Sequence, residues 1–137
     1  MTAVERRRPL DRVQIVDAAV ALADEDGLPA VSMRKVAARL GVEAMSLYHH
    51  VANKDDLLDG MVDAVTAEFT VPTDAPDWQA VLRGRCQAAR EALRRHPWAV
   101  GLMDSRSSPG MATLRHHEAV LASLRGAGFS VAGAAHA

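Results

Sequence analysis

The chain has 137 residues, of which 49% are hydrophobic and 24% charged, and its formal net charge is −1. This composition predicts one domain or two small ones, and the net charge by itself predicts no particular partner. The single cysteine, Cys86, excludes an internal disulfide framework and suits a reducing compartment. The sequence shows neither a run of 18 apolar residues nor an apolar signal segment, so we expect a cytoplasmic protein that does not use a membrane.

Apolar residues recur at helical spacing along the chain without strand-like alternation, which predicts an all-α fold. A first helix is expected over roughly residues 11–26, from Ile15, Ala18, Ala19, Leu22 and Ala23. Ser32 is predicted to cap a second, short helix that ends at Gly41. A third short helix is expected at roughly 43–50, and Asn53 is predicted to cap a fourth.

The second half of the chain is also predicted to be helical. The segment 70–77, TVPTDAPD, has two prolines and is the best linker candidate. A helix is expected from Trp78 to near His96, and its apolar row predicts that Cys86 is a buried structural thiol. After a short apolar piece, a helix with Leu114, His117, Leu121 and Leu124 is expected, followed by one that starts at Ser130.

The basic residues are clustered, with four between positions 6 and 12 and three between positions 34 and 39. A basic cluster on a neutral molecule can bind a polyanion, because the local field depends on local charge. Residues 1–9 are therefore interpreted as a basic N-terminal arm, which holds Arg6, Arg7 and Arg8 and can be either a phosphate-binding segment or a solvated tail.

Two short helices joined by a turn at Gly41 are the pattern of a helix-turn-helix unit. In such a unit the second helix enters the major groove, and its N-terminal residues face the base edges. Arg34 could contact a guanine, and Lys54, at a helix N-terminus, could bind a phosphate. The predicted DNA-binding residues are Arg34, Glu43, Ala44, Met45, Ser46, Tyr48, His49 and Lys54.

Residues 15–61, IVDAAVALADEDGLPAVSMRKVAARLGVEAMSLYHHVANKDDLLDGM, resemble the DNA-binding domain of the TetR family of bacterial repressors. The shared features are S-x-R-x-V-A-x-x-L-G-V, L-Y-x-H-V and N-K-x-x-L-L. The resemblance implies a three-helix DNA-binding domain at residues 10–56. A long fourth helix would connect it to a partial ligand-binding and dimerisation domain within residues 57–137. It also implies a repressor that binds a pseudo-palindromic operator as a homodimer and is released by a small molecule of unknown identity, without a cofactor.

The remaining residues more weakly resemble the C-terminal domain of the tetracycline-repressor subgroup. In the resemblance, Leu102 stands where that repressor has a histidine for its drug–magnesium chelate, so neither tetracycline nor magnesium is implied. Trp98 and Met103 fit a core first and a pocket lining second, and His117 fits either a core or a ligand cavity. The candidate ligand-binding residues are Arg85, Ala89, Trp98, Met103, Arg106 and His117.

Other classes of function fit the sequence less well. Adjacent histidines such as His49 and His50 point about 100° apart on a helix, so they are not expected to bind one metal ion. His50 itself fits packing and DNA contact equally. The sequence offers no nucleophile elbow or phosphate-cradling loop, so we do not expect an enzyme. The alternative is a truncated DNA-reading module that neither dimerises nor senses a ligand normally, because the chain stops where the long dimerisation helices are expected to begin.

Overall fold

The computed structural model describes residues 8–70, 77–106 and 109–136. These residues form eight α-helices, a 3-10 helix and no strand, which confirms the all-α prediction. The α-helices are α1 (Arg12–Asp26), α2 (Met33–Leu40), α3 (Ala44–Leu47), α4 (Lys54–Thr66), α5 (Trp78–Arg95), α6 (Ala99–Ser105), α7 (Met111–Gly126) and α8 (Val131–His136). The 3-10 helix Leu28–Ala30 lies between α1 and α2.

The chain divides into two compact units, Met1–Met61 and Val62–Ala137. The boundary falls inside α4, whereas the predicted DNA-binding domain ends at residue 56. After the roles that the resemblance implies, we call the first unit the reading head and the second the regulatory unit. None of the described helices is long and apolar enough to cross a membrane.

The starts of the helices in the reading head follow from local side-chain chemistry. Asp11 and Gln14 form a reciprocal capping box at the start of α1. The Ser32 hydroxyl accepts a hydrogen bond from the Lys35 backbone N–H at 3.1 Å, and the Asn53 side chain accepts one from the Asp56 N–H at 2.8 Å. Both predicted caps are thereby confirmed.

The core of the reading head gathers apolar residues from α1 to α4. Gly60 allows α4 to approach α1, since a β-carbon at this position would come within 2.8 Å of Val16 Cγ2. The most completely buried residues are Ile15, Ala19, Ala23, Val31, Val36, Ala37, Leu47, Val51, Leu57 and Met61, each with 2% or less of its surface exposed.

The core of the regulatory unit contains a cluster of small side chains and two buried leucines, Leu102 and Leu124. Val65, Ala92 and Ala99 form a buried cluster, against which Phe69, Leu93, Trp98 and Met103 pack. Helix α5 packs against α7, and α7 packs against α8. The first turn of α7 is capped by Asp63 of α4, whose Oδ1 accepts from the backbone N–H groups of Ala112 and Thr113 at 2.8 and 3.2 Å.

Two burial predictions in this unit are wrong. Cys86 is exposed, and the buried residues of α5 are Arg85 and Ala92. Arg85 is charged, so the buried row of α5 does not read as an apolar row in the sequence. The apolar pattern therefore predicts a buried face that is rotated by about one residue from the buried face in the structure.

The same rotation applies to α7. His117 is exposed, while its neighbour His116 is partly buried. Leu114 and Leu121, which share the predicted stripe with His117, are 47% and 39% exposed, whereas Leu124 is buried as expected.

Candidate nucleic-acid interface and effector cavity

The turn between α2 and α3 reverses the chain at Gly41, which adopts the left-handed conformation with φ 68° and ψ 33°. The Val42 N–H donates to the Ala37 carbonyl at 3.0 Å, and the Gly41 N–H donates to the Ala38 carbonyl at 3.2 Å. This is a Schellman motif, and a glycine is favoured because a β-carbon is strained at this φ. The motif fixes the direction in which α3 leaves α2.

Helix α3 is held from one side only. Leu47 is fully buried, and Val51, just after the helix, is 1% exposed. On the outer side Met45 is 73% exposed and Tyr48 is 45% exposed. A large apolar side chain at this level of exposure has no packing role in the described structure, so the outer face of α3 is free to contact another molecule.

The other predicted DNA-binding residues lie on the surface as well. Glu43, His49, Arg34 and Lys54 are exposed, and Ala44 and Ser46 are half-buried. His50, which the sequence left undecided, is exposed. Sequence reasoning overlooked the exposed Lys35, although its place in the basic cluster beside Arg34 could have indicated it. Arg8 of the predicted arm is exposed, and Arg6 and Arg7 lie outside the described residues.

One member of the basic cluster is already paired. Arg39 donates two hydrogen bonds to Glu25, at 2.8 and 2.7 Å, and so connects α2 to the end of α1. The bidentate geometry raises the pKa of Arg39 and lowers that of Glu25. Arg39 therefore supports the helix-turn-helix unit, while Arg34 and Lys35 contribute its exposed positive charge.

The start of α4 is fixed by a second bidentate pair. Arg12 donates to both carboxylate oxygens of Asp56, at 2.8 and 2.9 Å, and the Ala52 N–H donates to the same carboxylate at 2.9 Å. The Arg12 hydrogen bonds, followed by the Ala52 N–H, lower the pKa of Asp56 below its ordinary value. These contacts set the position of Lys54 two residues earlier.

The regulatory unit contains a cavity of about 570 Å³, which we call the effector cavity. Most of its walls are apolar, and Arg85, Arg115 and His116 supply its nitrogen atoms. The described lining residues are Thr66, Ala67, Phe69, Thr70, Val81, Arg85, Ala112, Arg115, His116, Ala119, Ala122 and Ser123.

Arg85 is the most unusual residue of this cavity, because only 7% of its surface is exposed. Its Nη1 lies in hydrogen-bond contact with Nδ1 of His116. Its Nε is buried and has no hydrogen-bond partner among the described residues. Burial lowers the pKa of Arg85, and burial, the Arg85 charge and the neighbouring His117 lower the pKa of His116. His116 also meets the Phe69 ring edge to face, with centroids 5.4 Å apart.

The structure separates the six predicted ligand-binding residues. Arg85 lines the effector cavity. Trp98 and Met103 pack against the core cluster, as their first interpretation expected. Ala89, Arg106 and His117 are not among the described lining residues of the cavity, and the binding roles of all six stay predictions. His116 and Arg115 were overlooked, because an adjacent His-His pair does not indicate which ring faces inward. Within the described residues, no group of three His, Cys, Asp or Glu side chains is arranged to bind a metal ion.

Comparison with known proteins accounts for most of the sequence. Residues 15–61 match the family model of bacterial regulatory proteins, tetR family, and residues 71–137 match that of the tetracyclin repressor-like C-terminal domain. An HTH-type transcriptional regulator of Saccharopolyspora erythraea is 43% identical over 126 residues, which cover 90% of this chain and 53% of that protein. The HTH-type transcriptional repressor DrrR1 of Streptomyces coeruleorubidus is 42% identical over 88% of this chain and 45% of its own length.

Among solved structures, the Streptomyces coelicolor TetR family protein ActR, in complex with actinorhodin, superimposes with a TM-score of 0.85 at 32% identity. The match covers 95% of this chain and 62% of ActR. The chain spans about half the length of the curated relatives that it matches. These proteins are named as regulators and not as enzymes, and the two family models together cover both units. The chain belongs to the tetR family of bacterial regulatory proteins.

Proposed function

We propose that this chain carries the DNA-reading head and the effector cavity of a cytoplasmic transcriptional repressor. The observation that carries the proposal is the outer face of α3, where Met45 and Tyr48 are exposed beside a fully buried Leu47. A helix with one face packed on the core and large exposed side chains on the other face suits insertion into the major groove. Residues 10–56 would form the DNA-binding domain, and residues 57–137 the connecting helix and regulatory domain.

The chemistry of each side chain suggests its part in reading DNA. Met45 and Ala44 can touch a thymine methyl group, and Ser46 can hydrogen-bond to a base edge. Tyr48 and Lys54 can bind phosphate oxygens, which positions the head without selecting a sequence. Arg34 can make the bidentate contact to guanine that does select a sequence.

Release by a small molecule is the second part of the proposal. ActR, a member of the same family, was solved with actinorhodin bound, and the effector cavity here has the size of a small-molecule site. Helix α4 contributes to both sites, since it begins at Lys54 and ends at Thr66, which lines the cavity. An effector that binds the DNA-incompetent state more tightly would therefore release the operator. We further propose that two copies bind a pseudo-palindromic operator as a homodimer.

A nuclease footprint on the DNA upstream of the protein's own gene tests the proposal first. Two protected half-sites about one helical turn or more apart are expected for a homodimeric repressor. A single half-site would contradict the dimer, and no protection at low salt would contradict DNA binding altogether.

Substitutions then separate the proposed roles on the protected DNA. Lys54→Ala is expected to weaken binding to all sequences alike and to reduce the slope of log K against log salt by about 1. Arg34→Ala is expected to relax the preference at one base pair, at a cost of roughly 1–3 kcal/mol. Arg90→Ala, an exposed arginine of α5, serves as the matched control. Unchanged base preference in Arg34→Ala would disprove its assigned role.

A further inference from the structure

The effector cavity offers hydrogen-bond donors but no negative charge. Its described lining contains no Asp or Glu, and it contains two arginines and one histidine. The Thr66 and Ser123 hydroxyls donate to the carbonyls of Val62 and Ala119 at 2.9 Å each, so their hydrogens are already used within their own helices. The side-chain donors left for a bound molecule are therefore the nitrogen atoms of Arg85, Arg115 and His116 and the hydroxyl of Thr70.

The contact between Arg85 and His116 fixes the proton on the imidazole ring. A guanidinium stays protonated and can only donate, so Nδ1 of His116 must accept from Nη1 of Arg85. The ring proton then lies on Nε2, and His116 is neutral. His116 thus leaves the positive charge of Arg85 uncompensated and adds an N–H donor of its own.

Among the residues that the structure describes, Arg85 has a charge without a counter-ion and a donor without an acceptor. Its surface is 7% exposed, its Nε has no partner among the described residues, and its pKa is lowered by burial alone, with no nearby carboxylate that raises it. A buried guanidinium is stable only when it is paired and its N–H groups are satisfied. Within the described residues the arrangement is therefore incomplete, and an anionic oxygen pair would complete it.

We propose that the effector cavity binds an aromatic carboxylic acid, whose carboxylate accepts hydrogen bonds from the guanidinium of Arg85. This proposal rests on the proposed function, because it names the chemical class of the effector. A planar guanidinium matches a carboxylate in a bidentate pair. Arg115, on the exposed edge of the same lining, adds a second positive charge. The apolar walls and the Phe69 ring would receive the aromatic body, since rings prefer offset or edge-to-face contacts.

The test measures binding of three acids of increasing size, benzoate, 2-naphthoate and anthracene-2-carboxylate, and of their neutral carboxamides. Isothermal titration calorimetry on the full chain needs no DNA. At least one acid is expected to bind roughly tenfold or more tightly than its carboxamide, because a charge-assisted pair is replaced by a neutral one. If no acid binds more tightly than its carboxamide, the proposal is overturned.

Arg85→Gln and Arg90→Gln form a matched pair on α5, since Arg90 is exposed and outside the described lining. Arg85→Gln is expected to bind the acid as weakly as the carboxamide, and Arg90→Gln as tightly as the unchanged chain. Equal acid binding in Arg85→Gln would overturn the proposal. Circular dichroism checks that both variants are folded, and the comparison of acid with carboxamide in the unchanged chain remains decisive if one is not.

Adding the acid to the footprinted complex separates this proposal from the proposed function. Binding of the acid without release of DNA would keep the anion site and disprove its role as the effector site. Release of DNA only by molecules without an acidic group, together with no preference for acid over carboxamide in calorimetry, would overturn the anion site and keep the repressor.

Discussion

The two arginines that connect the helices of the reading head differ from Arg85 of the effector cavity in exposure and in partner. In the head, Arg12 and Arg39 lie at the surface and each forms a bidentate pair with a carboxylate, Asp56 and Glu25 respectively. In the regulatory unit, Arg85 is buried against a neutral histidine. The head is thus complete in its own polar contacts and suited to hold α3 in one orientation. In the regulatory unit, Nε of Arg85 has no hydrogen-bond partner among the described residues, so it can donate to a ligand.

The two units also differ in how they bury apolar surface. The head encloses Ile15, Leu47, Leu57 and Met61 almost completely, whereas the regulatory unit buries fewer large side chains, Leu102 and Leu124, together with the smaller Val65, Ala92 and Ala99. Since burial stabilises roughly in proportion to apolar area, at about 25 cal/mol per Å², we expect the head to resist local unfolding more strongly. A looser regulatory unit can change its cavity when a ligand binds, while the head keeps its shape.

The largest effect is expected from Leu47→Ala, which tests whether a rigid core positions the reading surface. Leu47 is fully buried, so the substitution should lower the free energy of unfolding by about 2–5 kcal/mol. Met45→Ala, two residues earlier in the same helix and 73% exposed, should change it by less than about 0.5 kcal/mol. Urea denaturation measures both.

Binding to the footprinted DNA completes this comparison. Met45→Ala should weaken binding in a folded protein, and Leu47→Ala should weaken it by unfolding the head. Equal stability of the two variants would show that α3 is not anchored as described.

The reading head could be predicted from the sequence almost residue by residue. The caps at Ser32 and Asn53 depend on short-range chemistry, because each side chain accepts a hydrogen bond from a backbone N–H three residues later. The turn at Gly41 is equally local, because it depends on the left-handed conformation of one glycine. The buried row through Val36 and Leu47 follows a plain helical period. Local rules and tertiary packing agree there, so each supports the other.

The regulatory unit could be predicted only as a set of helices. Its decisive feature is a charged residue, Arg85, on an inward face, and the apolar periodicity assigns Cys86 to the buried side although this residue is exposed. The cap of α7 is supplied by Asp63, about fifty residues earlier in the chain, and no local pattern indicates such a contact. Functional sites are where sequence rules are expected to fail, because a ligand and not the chain completes them.

A smaller effect is expected from the removal of this distant cap. Asp63→Ala leaves the Ala112 and Thr113 N–H groups without their acceptor, which should cost about 0.5–2 kcal/mol of unfolding free energy. Asp63→Asn keeps an acceptor oxygen and loses only the interaction of the charge with the helix dipole, which is about 0.3–1 kcal/mol. Because α7 carries His116, Asp63→Ala should also weaken acid binding more than Asp63→Asn does. Urea denaturation measures the free energy of unfolding, and calorimetry measures the affinity for the acid. A lower stability and a weaker acid binding in Asp63→Asn than in Asp63→Ala would refute the capping role.

The smallest effect concerns the surface pair of Arg12 and Asp56, whose side chains are 44% and 31% exposed. The pKa of Asp56 is lowered in the folded state, so its contribution to stability is present above the ordinary pKa of 3.8 and is lost as the pH falls through the lower, folded value. With this exposure, the pair should contribute about 0.2–1 kcal/mol. The difference between the urea midpoints at pH 7 and pH 3 should therefore be smaller in Arg12→Gln than in Arg34→Gln. Arg34→Gln is the matched control, because it also removes an exposed arginine from the same unit. A larger pH dependence in Arg12→Gln would mean that Arg12 does not lower the pKa of Asp56.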